Sequence, residues 1–597
     1  MKRSSIFIAI WLLLMPVTVV ADRGDTICYV VNSLKYRVLE WDSSVSVSDV
    51  HYGERLPVSS DGTLLLPSEV TVAGRTLPVS AIEDNAFYGH PELKHLIIGE
   101  GILALGENAF RQCANLESIQ IPSTLIMLDK WSFLGCSRLR KIMVADGNPK
   151  YDSRDNCNAI ISTHDDMLIK GCQTTKIPAS VTEIGPTAFY GQQSIASISI
   201  PEGIERICAC AFKECVNLAS VSLPQSLTII DDAAFYGCAS LTELDIPENV
   251  SKIGERVVSL CHNLKKMTVA PANKVYDSRE GCNAIVEKNM DRIIAACGSS
   301  TIPEGIRSIA SGAFYAVSVT EIFIPRSVTE IADLAFWGCA DCVSIKVDED
   351  NAVFDSREDC NAIIESATGK LVLGCPRTII TDRVREIGNS AFARIPLPHC
   401  MKIPEGVETI ADGAFAQCAN MEMLVLPKSL RKIGSRSFWC CMDLQTVMAN
   451  SSELYIGDNT TVIVDGNIYT QRNKSITIGK NSQLICKWEI YSDGNINVGE
   501  NSVIVSQTAS SKENISLKAD NFTTTSTSKV FANGDIQKTD SGEAIFGGKV
   551  YCKRAIYYGD SASGNLTFMD NSKVYLGRNL ALSSGDLNIG ENVIVVV

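Results

Sequence analysis

The sequence predicts a repeat solenoid that is mostly β, and three observations support this fold class. The chain has 597 residues, which is too long for one compact core and calls for several domains or an open-ended repeat. Residues 218–261 align with themselves at a shift of 23, so that Leu218 falls on Leu241 and Cys238 on Cys261. Apolar residues recur with this period, and a coil of this length buries its apolar side only by stacking on its neighbours.

A phenylalanine slot marks the coils of residues 81–451. Most steps between successive slots equal the shift of 23 and one equals 22, whereas three equal 56, which is 23 plus 33. Each long step carries the same inserted text, which begins at Tyr151, Tyr276 and Phe354. Because the register is kept on both sides, each insert is predicted to be a larger coil. The slot is occupied by Phe87, Phe110, Phe133, Phe189, Phe212, Phe235, Val258, Phe314, Phe336, Phe392, Phe415 and Phe438.

Within one unit, a strand and a turn are predicted on opposite sides of the coil. Residues 220–223 alternate between polar and apolar, and Pro224 ends the strand because proline has no N–H for the ladder. Residues 233–238 pair one bulky apolar side chain with small ones, which predicts a tight turn or a short helical piece. Successive strands should then form a parallel sheet along one face.

The segments on both sides of the repeat are also β-rich. Residues 22–80 lack the repeat but contain short alternating runs between glycines, which predicts an N-terminal β cap. In residues 452–597 the phenylalanine slot disappears, and Gly-x-Asn corners separate β-branched runs. This pattern predicts a smaller all-β solenoid similar to a β-helix, although residues 506–545 fit it poorly.

Eight cysteines occupy one slot, three residues after the phenylalanine. A slot this regular predicts an interior column in which cysteine acts as a small buried residue with a weak donor. Stacked side chains point the same way, so disulfides between successive coils are not expected. The predicted structural ladder consists of Cys113, Cys136, Cys215, Cys238, Cys261, Cys339, Cys418 and Cys441.

The inserts carry a second set of cysteines, always at the same separation of fifteen. If each insert folds back as a hairpin, the two cysteines face each other within bridging distance. This predicts cross-strand disulfides or close thiol pairs. The pairs are Cys157 with Cys172, Cys282 with Cys297, and Cys360 with Cys375.

One CxxC motif stands apart. In isolation, Cys339 and Cys342 would indicate redox or zinc chemistry. Here Cys339 fills the ladder slot and Cys342 fills the slot that Leu218 and Leu241 hold in other coils. A structural role is therefore predicted for both.

The N-terminus and the charge indicate where the chain works. Lys2 and Arg3 precede an apolar run that ends in small residues, so residues 1–21 are predicted to be a signal peptide. An exported protein at the cell surface or in the medium is expected, without a membrane span, since no later run is long enough. The net charge of -14 argues against nucleic acid as a partner, because phosphate binding needs clustered lysine and arginine.

The unit IPxSLxxIxxxAFxGCxxL, together with inserts that begin YDSRxxCNAI, resembles the BspA-like leucine-rich repeat proteins that Bacteroides-type bacteria export. The likeness covers residues 80–450, and residues 22–80 look like the cap of that family. The resemblance implies a leucine-rich-repeat solenoid that works in adhesion to matrix proteins, to other bacteria or to host-cell receptors. Three positions depart from the ladder, namely Gln192, Val317 and Ile395, and Val258 replaces phenylalanine.

No enzymatic chemistry is signalled. The sequence contains six histidines and none of the common nucleotide, hydrolase or zinc-protease motifs, so no catalytic residue, metal or cofactor is expected. The repeated Asp-Ser-Arg of the inserts, first at 152–154, is interpreted as a turn in which the aspartate caps backbone N–H groups and the arginine closes an ion pair. Arg23, Gly24 and Asp25 match an integrin-type tripeptide, a short match that arises often by chance.

Two functions from different classes remain open. The first is a surface adhesin whose strand face binds a host matrix or cell-surface protein. The second is a glycan-binding or structural surface-layer component in which the repeats are a spacer. The tryptophans beside the phenylalanine slot discriminate between them: an exposed row of Trp131, Trp337 and Trp439 would favour sugar stacking.

Overall fold

The chain forms an almost entirely β solenoid, as the sequence predicts. The described part contains no α-helix, only the 3-10 turns Arg154–Asn156 and Arg279–Gly281. It divides into two compact units, Met1–Ser278 and Arg279–Val597. The computed structural model describes residues 18–21, 27–39, 43–48, 56–356, 358–427, 429–430, 432–434, 437–444, 446–449, 453–456, 461–464, 467–470, 475–486, 490–492, 494–507, 515–519, 521–538, 544–558, 565–581 and 586–597.

Antiparallel strands precede the first coil, where the sequence predicts a β cap. Two of them also join the parallel stack: Val45–Val47 runs parallel to Arg75–Ile82, which in turn pairs with the first short coil strand, Ala104–Leu105. That these strands serve as a cap stays a prediction. They are Thr18–Ala21, Ile27–Val31, Leu34–Val38, Val45–Val47, Glu69–Val72 and Arg75–Ile82.

Each coil of the first unit contributes two strands on different sides. The longer strands alternate between inward and outward side chains, for example the pattern exposed, buried, exposed, buried of Glu243–Ile246. The longer strands are Thr63–Leu66, His95–Ile98, Ser118–Ile121, Lys141–Val144, Ser197–Ser199, Ser220–Ser222, Glu243–Ile246 and Lys266–Val269. The short strands are Ala104–Leu105, Met127–Leu128, Glu183–Ile184, Arg206–Ile207, Ile229–Ile230 and Lys252–Ile253.

The phenylalanine slot lies in a tight turn on the remaining side, where its rings form an interior column. Phe189, Phe212 and Phe235 stack with centroids 5.0 and 5.4 Å apart and planes within 6° of parallel. Two residues after each phenylalanine the backbone has a positive φ, for example 75° at Gly237. Glycine adopts this conformation without strain, which accounts for the recurring Phe-x-Gly.

The three inserts are long coils, as predicted, and each contains an antiparallel hairpin. The described hairpin strands are Tyr151–Asp152, Ala159–Ser162 and Met167–Gly171, then Tyr276–Asp277, Ala284–Glu287 and Arg292–Ala296, then Phe354–Asp355, Ile363–Glu365 and Lys370–Leu373. An asparagine begins each long coil. Asn148 donates from Nδ2 to the carbonyls of Pro122 and Leu125, both at 2.9 Å, and its Oδ1 accepts from Lys150 and Tyr151 N–H. Asn273 and Asn351 make the same four bonds.

A small residue keeps the column compact where a long coil interrupts it. A Cβ added at Gly171 would lie 2.2 Å from the ring of Phe189, and one at Gly374 would lie 2.1 Å from the ring of Phe392. A side chain at either glycine would collide with the ring unless the ring shifted, and the equivalent residue of the second long coil is the small Ala296. The glycine therefore lets the next coil resume the stack.

The second unit begins with coils of the same kind and then changes its cross-section. Its longer coil strands are Glu321–Ile324, Ser344–Val347, Cys400–Lys402, Met423–Leu426 and Thr446–Ala449, and its short strands are Ser308–Ile309, Glu330–Ile331, Glu386–Ile387, Thr409–Ile410 and Lys432–Ile433. The column of longer strands and the column of short strands both run past residue 451. Thr446–Ala449 pairs in parallel with Asn467–Thr470, and Ile433 pairs with Ile456.

From residue 453 every coil has three strands, which form three parallel sheets around one apolar core. The first sheet continues the short strands through Glu453–Ile456, Ser475–Ile478, Asn495–Val498, Asn521–Thr524, Ala544–Phe546, Leu566–Phe568 and Leu587–Ile589. The second continues the longer strands through Asn467–Thr470, Ile490–Tyr491, Ile515–Ala519, Asp535–Lys538, Ile556–Tyr558 and Leu580–Ala581. The third is new and consists of Thr461–Val464, Gln483–Cys486, Val503–Ser506, Lys529–Ala532, Lys549–Cys552, Lys573–Leu576 and Ile594–Val596.

The expected poor fit of residues 506–545 is wrong. Asn521–Thr524 and Lys529–Ala532 are regular members of the first and third sheets. The corner between them lacks Gly-x-Asn, but Thr524 Oγ1 donates to Gly547 O at 3.0 Å and accepts from Gly547 N–H at 2.8 Å. The side chain of Thr524 thus supplies the bonds that tie this corner to the next coil. The division into domains at 451 stays a prediction.

Phe212→Ala should lower the free energy of unfolding by about 3–5 kcal/mol, because it leaves a cavity between two stacked rings. Urea unfolding followed by circular dichroism measures this. Ser220→Ala, an exposed position on the same coil, should change stability by less than about 0.5 kcal/mol. Equal effects of the two substitutions would contradict the role of the column.

Candidate protein-binding face

The outward positions of the longer strands in the first unit form one candidate site, which we call the strand face. They are the first and third residues of each strand, since the second and fourth point into the core. The first four strands of this face pair in register, with Ser118 beside Lys141 and Gln120 beside Met143, and the other four form two further pairs. The strand face comprises Thr63, Leu65, His95, Ile97, Ser118, Gln120, Lys141, Met143, Ser197, Ser199, Ser220, Ser222, Glu243, Asp245, Lys266 and Thr268.

The N-terminal end of the strand face carries three apolar side chains among polar ones. Leu65 is 61% exposed and is the direct neighbour of the partly buried Ile97, while Met143 is 43% exposed and follows in the same column after Gln120. His95 Nδ1 and Ser118 Oγ lie 2.9 Å apart beside them. We call Leu65, Ile97 and Met143 the apolar patch. Exposed apolar groups that cluster in this way are typical of protein-binding surfaces.

The rest of the strand face is polar. Four serines follow, namely Ser197, Ser199, Ser220 and Ser222. Glu243 and Lys266 then form an ion pair of 3.4 Å across adjacent strands, and Thr268 donates to Asp245. A small hydrophobic centre beside a polar rim is the usual composition of a protein interface.

The structure places all eight predicted ladder cysteines in the interior, each bonded to the coil before it. Their thiols donate to the carbonyl of the phenylalanine one coil earlier, for example Cys238 Sγ to Phe212 O at 3.2 Å. The same bond is made by Cys113, Cys136, Cys215, Cys261, Cys339, Cys418 and Cys441 at 2.8–3.3 Å. Burial raises the pKa of Cys136, Cys215 and Cys261 to about 12. These thiols therefore remain protonated donors at neutral pH.

The first long coil introduces two polar side chains into the interior. Gln192 holds the ladder slot and donates from Nε2 to Cys136 O at 2.9 Å, while its Oε1 has no partner among the described residues. Lys170 is 4% exposed, and its Nζ likewise has no described partner. Desolvation lowers the pKa of Lys170, opposed by the thiols of Cys136 and Cys215. The corresponding residues of the other long coils are apolar: Ala295, Leu373, Val317 and Ile395.

The predicted pairing of the insert cysteines is wrong in register. Ile364 faces Leu371 as predicted, but Ile363 faces Leu373 because a β-bulge follows it. The bulge shifts the hairpin by one residue on the side that carries the cysteines. Equivalent bulges occur after Ile160 and Ile285.

All six insert cysteines are free thiols in the structure. Cys172, Cys297 and Cys375 donate to the carbonyls of Asn158, Asn283 and Asn361 at 3.3, 3.3 and 3.6 Å. Their predicted partners, Cys157, Cys282 and Cys360, are buried beside other carbonyls.

The CxxC pair also lies in the core. Cys339 and Cys342 are buried, and their thiols donate to Phe314 O and Ser344 O. Burial raises the pKa of Cys342 to about 12 and that of Cys339 further. A reactive or metal-binding thiolate needs a lowered pKa. Among the described residues no group of three or more histidine, cysteine or acidic side chains could hold a metal ion.

The Asp-Ser-Arg turn of the first insert is confirmed as a structural device. Asp152 accepts the Arg154 N–H at 3.1 Å and pairs with the guanidinium through both carboxylate oxygens. Arg154 also bonds Asp166 at 2.7 Å, and Ser153 donates to Ala159 O. The polar and charged groups of this turn therefore bond to one another.

The three tryptophans do not form an exposed row. Trp131 lies two residues before its slot, under Lys130 Nζ at 4.5 Å. Trp337 stacks on Tyr315 at 4.4 Å, and Trp439 is 46% exposed. The arrangement therefore does not favour sugar stacking on this flank. The tripeptide 23–25 lies outside the described residues, and within them no helix is long and apolar enough to cross a membrane.

Sequence comparison identifies the family to which the repeat belongs. Residues 75–157, 169–280, 295–361 and 374–487, more than half of the chain, match the model of the BspA type leucine-rich repeat region. The chain belongs to the BspA-type leucine-rich repeat family. The resemblance seen in the repeat unit is thereby confirmed, and the match extends into the three-stranded coils. No curated protein matches the chain.

Several solved structures of leucine-rich repeat proteins are similar to this BspA-type chain. A leucine rich cell surface protein from Faecalibacterium prausnitzii is 23% identical, with a TM-score of 0.36, covering 71% of this chain and 95% of its own. A protein from Bacteroides ovatus is 24% identical, with a TM-score of 0.32, covering 71% and 93%. The pneumococcal vaccine antigen PcpA is 14% identical, with a TM-score of 0.32, covering 76% and 93%.

One set of surface residues escaped the sequence reasoning. The triplet lysine-valine-aromatic occurs at 529–531, 549–551 and 573–575. Its signal was the recurrence of the triplet at nearly even spacing along the chain.

Cys400 and Cys440 are exposed, and we expect them to be the cysteines that iodoacetamide modifies fastest in the native protein. All 22 cysteines should react after unfolding without reductant. Peptide mass mapping measures both. A disulfide-linked peptide containing Cys157 and Cys172 would contradict the free thiols.

Lys170→Leu, which copies the third long coil, should raise the free energy of unfolding at pH 7 by about 1–3 kcal/mol, because it removes an unpartnered buried amine. Since the folded pKa of Lys170 is lowered, the unfolded chain binds more protons between that pKa and its ordinary value, so the parent gains stability as pH rises. The advantage of the variant should therefore shrink from pH 7 to pH 9 in urea unfolding. A constant difference would contradict the lowered pKa. The ladder cysteines are common to both proteins, so their ionisation cancels.

Proposed function

We propose that the chain is an exported cell-surface binding protein, an adhesin that engages a host matrix or cell-surface protein through the strand face. The observation that carries this proposal is the apolar patch of Leu65, Ile97 and Met143, exposed at one end of an otherwise polar sheet. Polar side chains would be expected at these positions if the face had no partner. Family membership and the predicted signal peptide support the same role.

A binding role rather than an enzymatic one agrees with the chemistry of the described residues. Burial raises the pKa of Cys136 and Cys215 to about 12, and the ion pair of Asp152 and Arg154 closes its own turn. Among the described residues, no group of three or more histidine, cysteine or acidic side chains could hold a metal ion. We propose that the chain binds its partner without transforming it.

The test uses the full chain without its predicted signal peptide against an array of extracellular-matrix and host-cell surface proteins. Binding to at least one protein is expected. The double substitution Leu65→Asp and Met143→Asp should weaken this binding at least about tenfold, because two exposed anchors are lost and two charges enter the interface. Biolayer interferometry measures the affinity.

The matched control is Ser199→Asp with Ser222→Asp, which adds the same charge elsewhere on the strand face. It should change the affinity by less than about threefold. Equal losses in the two variants would show a general charge effect. Protein binding that survives Leu65→Asp and Met143→Asp would place the site elsewhere.

A further inference from the structure

A row of lysines and aromatic rings lies on the outer side of the third sheet. Lys529–Ala532, Lys549–Cys552 and Lys573–Leu576 pair in parallel and in register. Each strand begins with an exposed lysine, continues with a buried valine and then turns an aromatic ring outward. We call these six outward residues the lysine-aromatic row: Lys529, Phe531, Lys549, Tyr551, Lys573 and Tyr575.

The rings of the row present their edges to solvent. Phe531 and Tyr551 stack with centroids 4.9 Å apart and planes at 1°, and Tyr551 stacks on Tyr575 at 4.9 Å and 4°. Successive rings therefore cover one another's faces along the solenoid axis. An aromatic edge carries partial positive charge, whereas the face is negative. The exposed part of the stack thus attracts anions, and it offers no free faces along the row to a sugar ring or a nucleobase.

The lysines add full positive charge at the same spacing. Lys549 is the direct neighbour of both Lys529 and Lys573, at the roughly 4.8 Å strand separation of a sheet. Like charges in adjacent positions repel and destabilise a sheet. The described residues show no ion pair to any of the three. A partner that neutralises them would relieve this repulsion.

The basic character is concentrated on this side. Lys553 and Arg578 are exposed just beyond the ends of two of the strands, while Arg554 is paired with Asp535 at 3.4 Å. Asp570 and Glu591 lie at the corner that precedes the strands of the third sheet, three residues before Lys573 and Ile594, and Asp570 accepts the Glu591 N–H at 2.8 Å. The outward positions of the neighbouring first sheet are uncharged, at Thr477, Asn497, Thr523, Ile545, Thr567 and Asn588. Such a row is unusual on a chain of net charge -14.

We propose that the lysine-aromatic row binds an anionic polysaccharide, whose carboxylate or sulfate groups lie along the row and meet successive lysines and tyrosine hydroxyls. A regular polymer with one acidic group after another matches a regular row of cations better than a folded protein surface does. Single-stranded nucleic acid relies on stacking of bases on free ring faces, and these faces are covered. The site is separate from the strand face and does not depend on the proposed protein ligand.

The experiment measures binding of the full chain, without its predicted signal peptide, to heparin and to polygalacturonate, with neutral dextran as the uncharged probe. Binding to at least one acidic polymer and none to dextran is expected, and the affinity should fall as salt rises. The triple substitution Lys529→Gln, Lys549→Gln and Lys573→Gln should weaken binding by roughly tenfold or more. Calorimetry or affinity electrophoresis provides the constants.

The control replaces Lys141, Lys346 and Lys402 by glutamine, three exposed lysines at outward strand positions of the repeat. It makes the same change in net charge and should leave polysaccharide binding within about twofold. If both variants lost polysaccharide binding equally, overall charge would account for the loss, and the proposed site would be wrong. Binding to dextran, tighter binding to a single-stranded oligonucleotide, or no binding to either acidic polymer would overturn the choice of ligand.

Thermal unfolding separates binding from structure. If the lysines serve only the fold, their replacement should lower the Tm. If the row serves a ligand, removing the repulsion should leave the Tm unchanged or raise it while binding is lost. Tyr551→Phe, which keeps the stack and removes one hydroxyl, should retain the Tm and weaken binding less than the triple variant. A lowered Tm in the glutamine variant would contradict the proposal.

Discussion

The solenoid depends on one interaction between coils, the bond from a buried thiol to a carbonyl of the turn before it. The carbonyl of Phe212 points into the core, where an unbonded acceptor would be costly, and Cys238 supplies the donor. Cysteine suits the slot because it is small, apolar and still able to donate. Burial keeps the thiol protonated, so the ladder serves the fold and not redox chemistry. Where Gln192 replaces cysteine, its amide donates to a carbonyl instead, with more polar atoms to satisfy.

Single side chains also explain how coils of different length stack on one another. A long coil begins with an asparagine whose side chain bonds several backbone groups, as Asn148 does. It ends with a small residue such as Gly171 under the next phenylalanine ring. In the second unit the strand columns continue unchanged while a third sheet replaces the turn that held the phenylalanine slot. The parallel register, rather than any particular side chain, is what the repeat and the three-stranded coils share.

The two candidate surfaces differ in the side chains that the alternation of each strand turns outward. On the strand face, alternation places Leu65 and Met143 outward, and only a partner can remove these apolar groups from water. On the third sheet, alternation places Lys549 and Tyr551 outward, and only an anion can offset the charge. One favours a protein with a hydrophobic contact, and the other favours an acidic polymer. A chain with both would hold two kinds of partner at once.

The sequence by itself determined the repeat, its period, the long coils and the buried cysteine ladder, because these depend on residue spacing that recurs along the chain. It also indicated the Asp152 turn, since that device is local. The hairpin register of Cys360 and Cys375 was decided by a bulge, which no local pattern announces. The lysine-aromatic row likewise emerged only when the strands of successive coils were brought into register. A surface of this kind exists between coils and not within any one of them, so only the tertiary structure could assemble it.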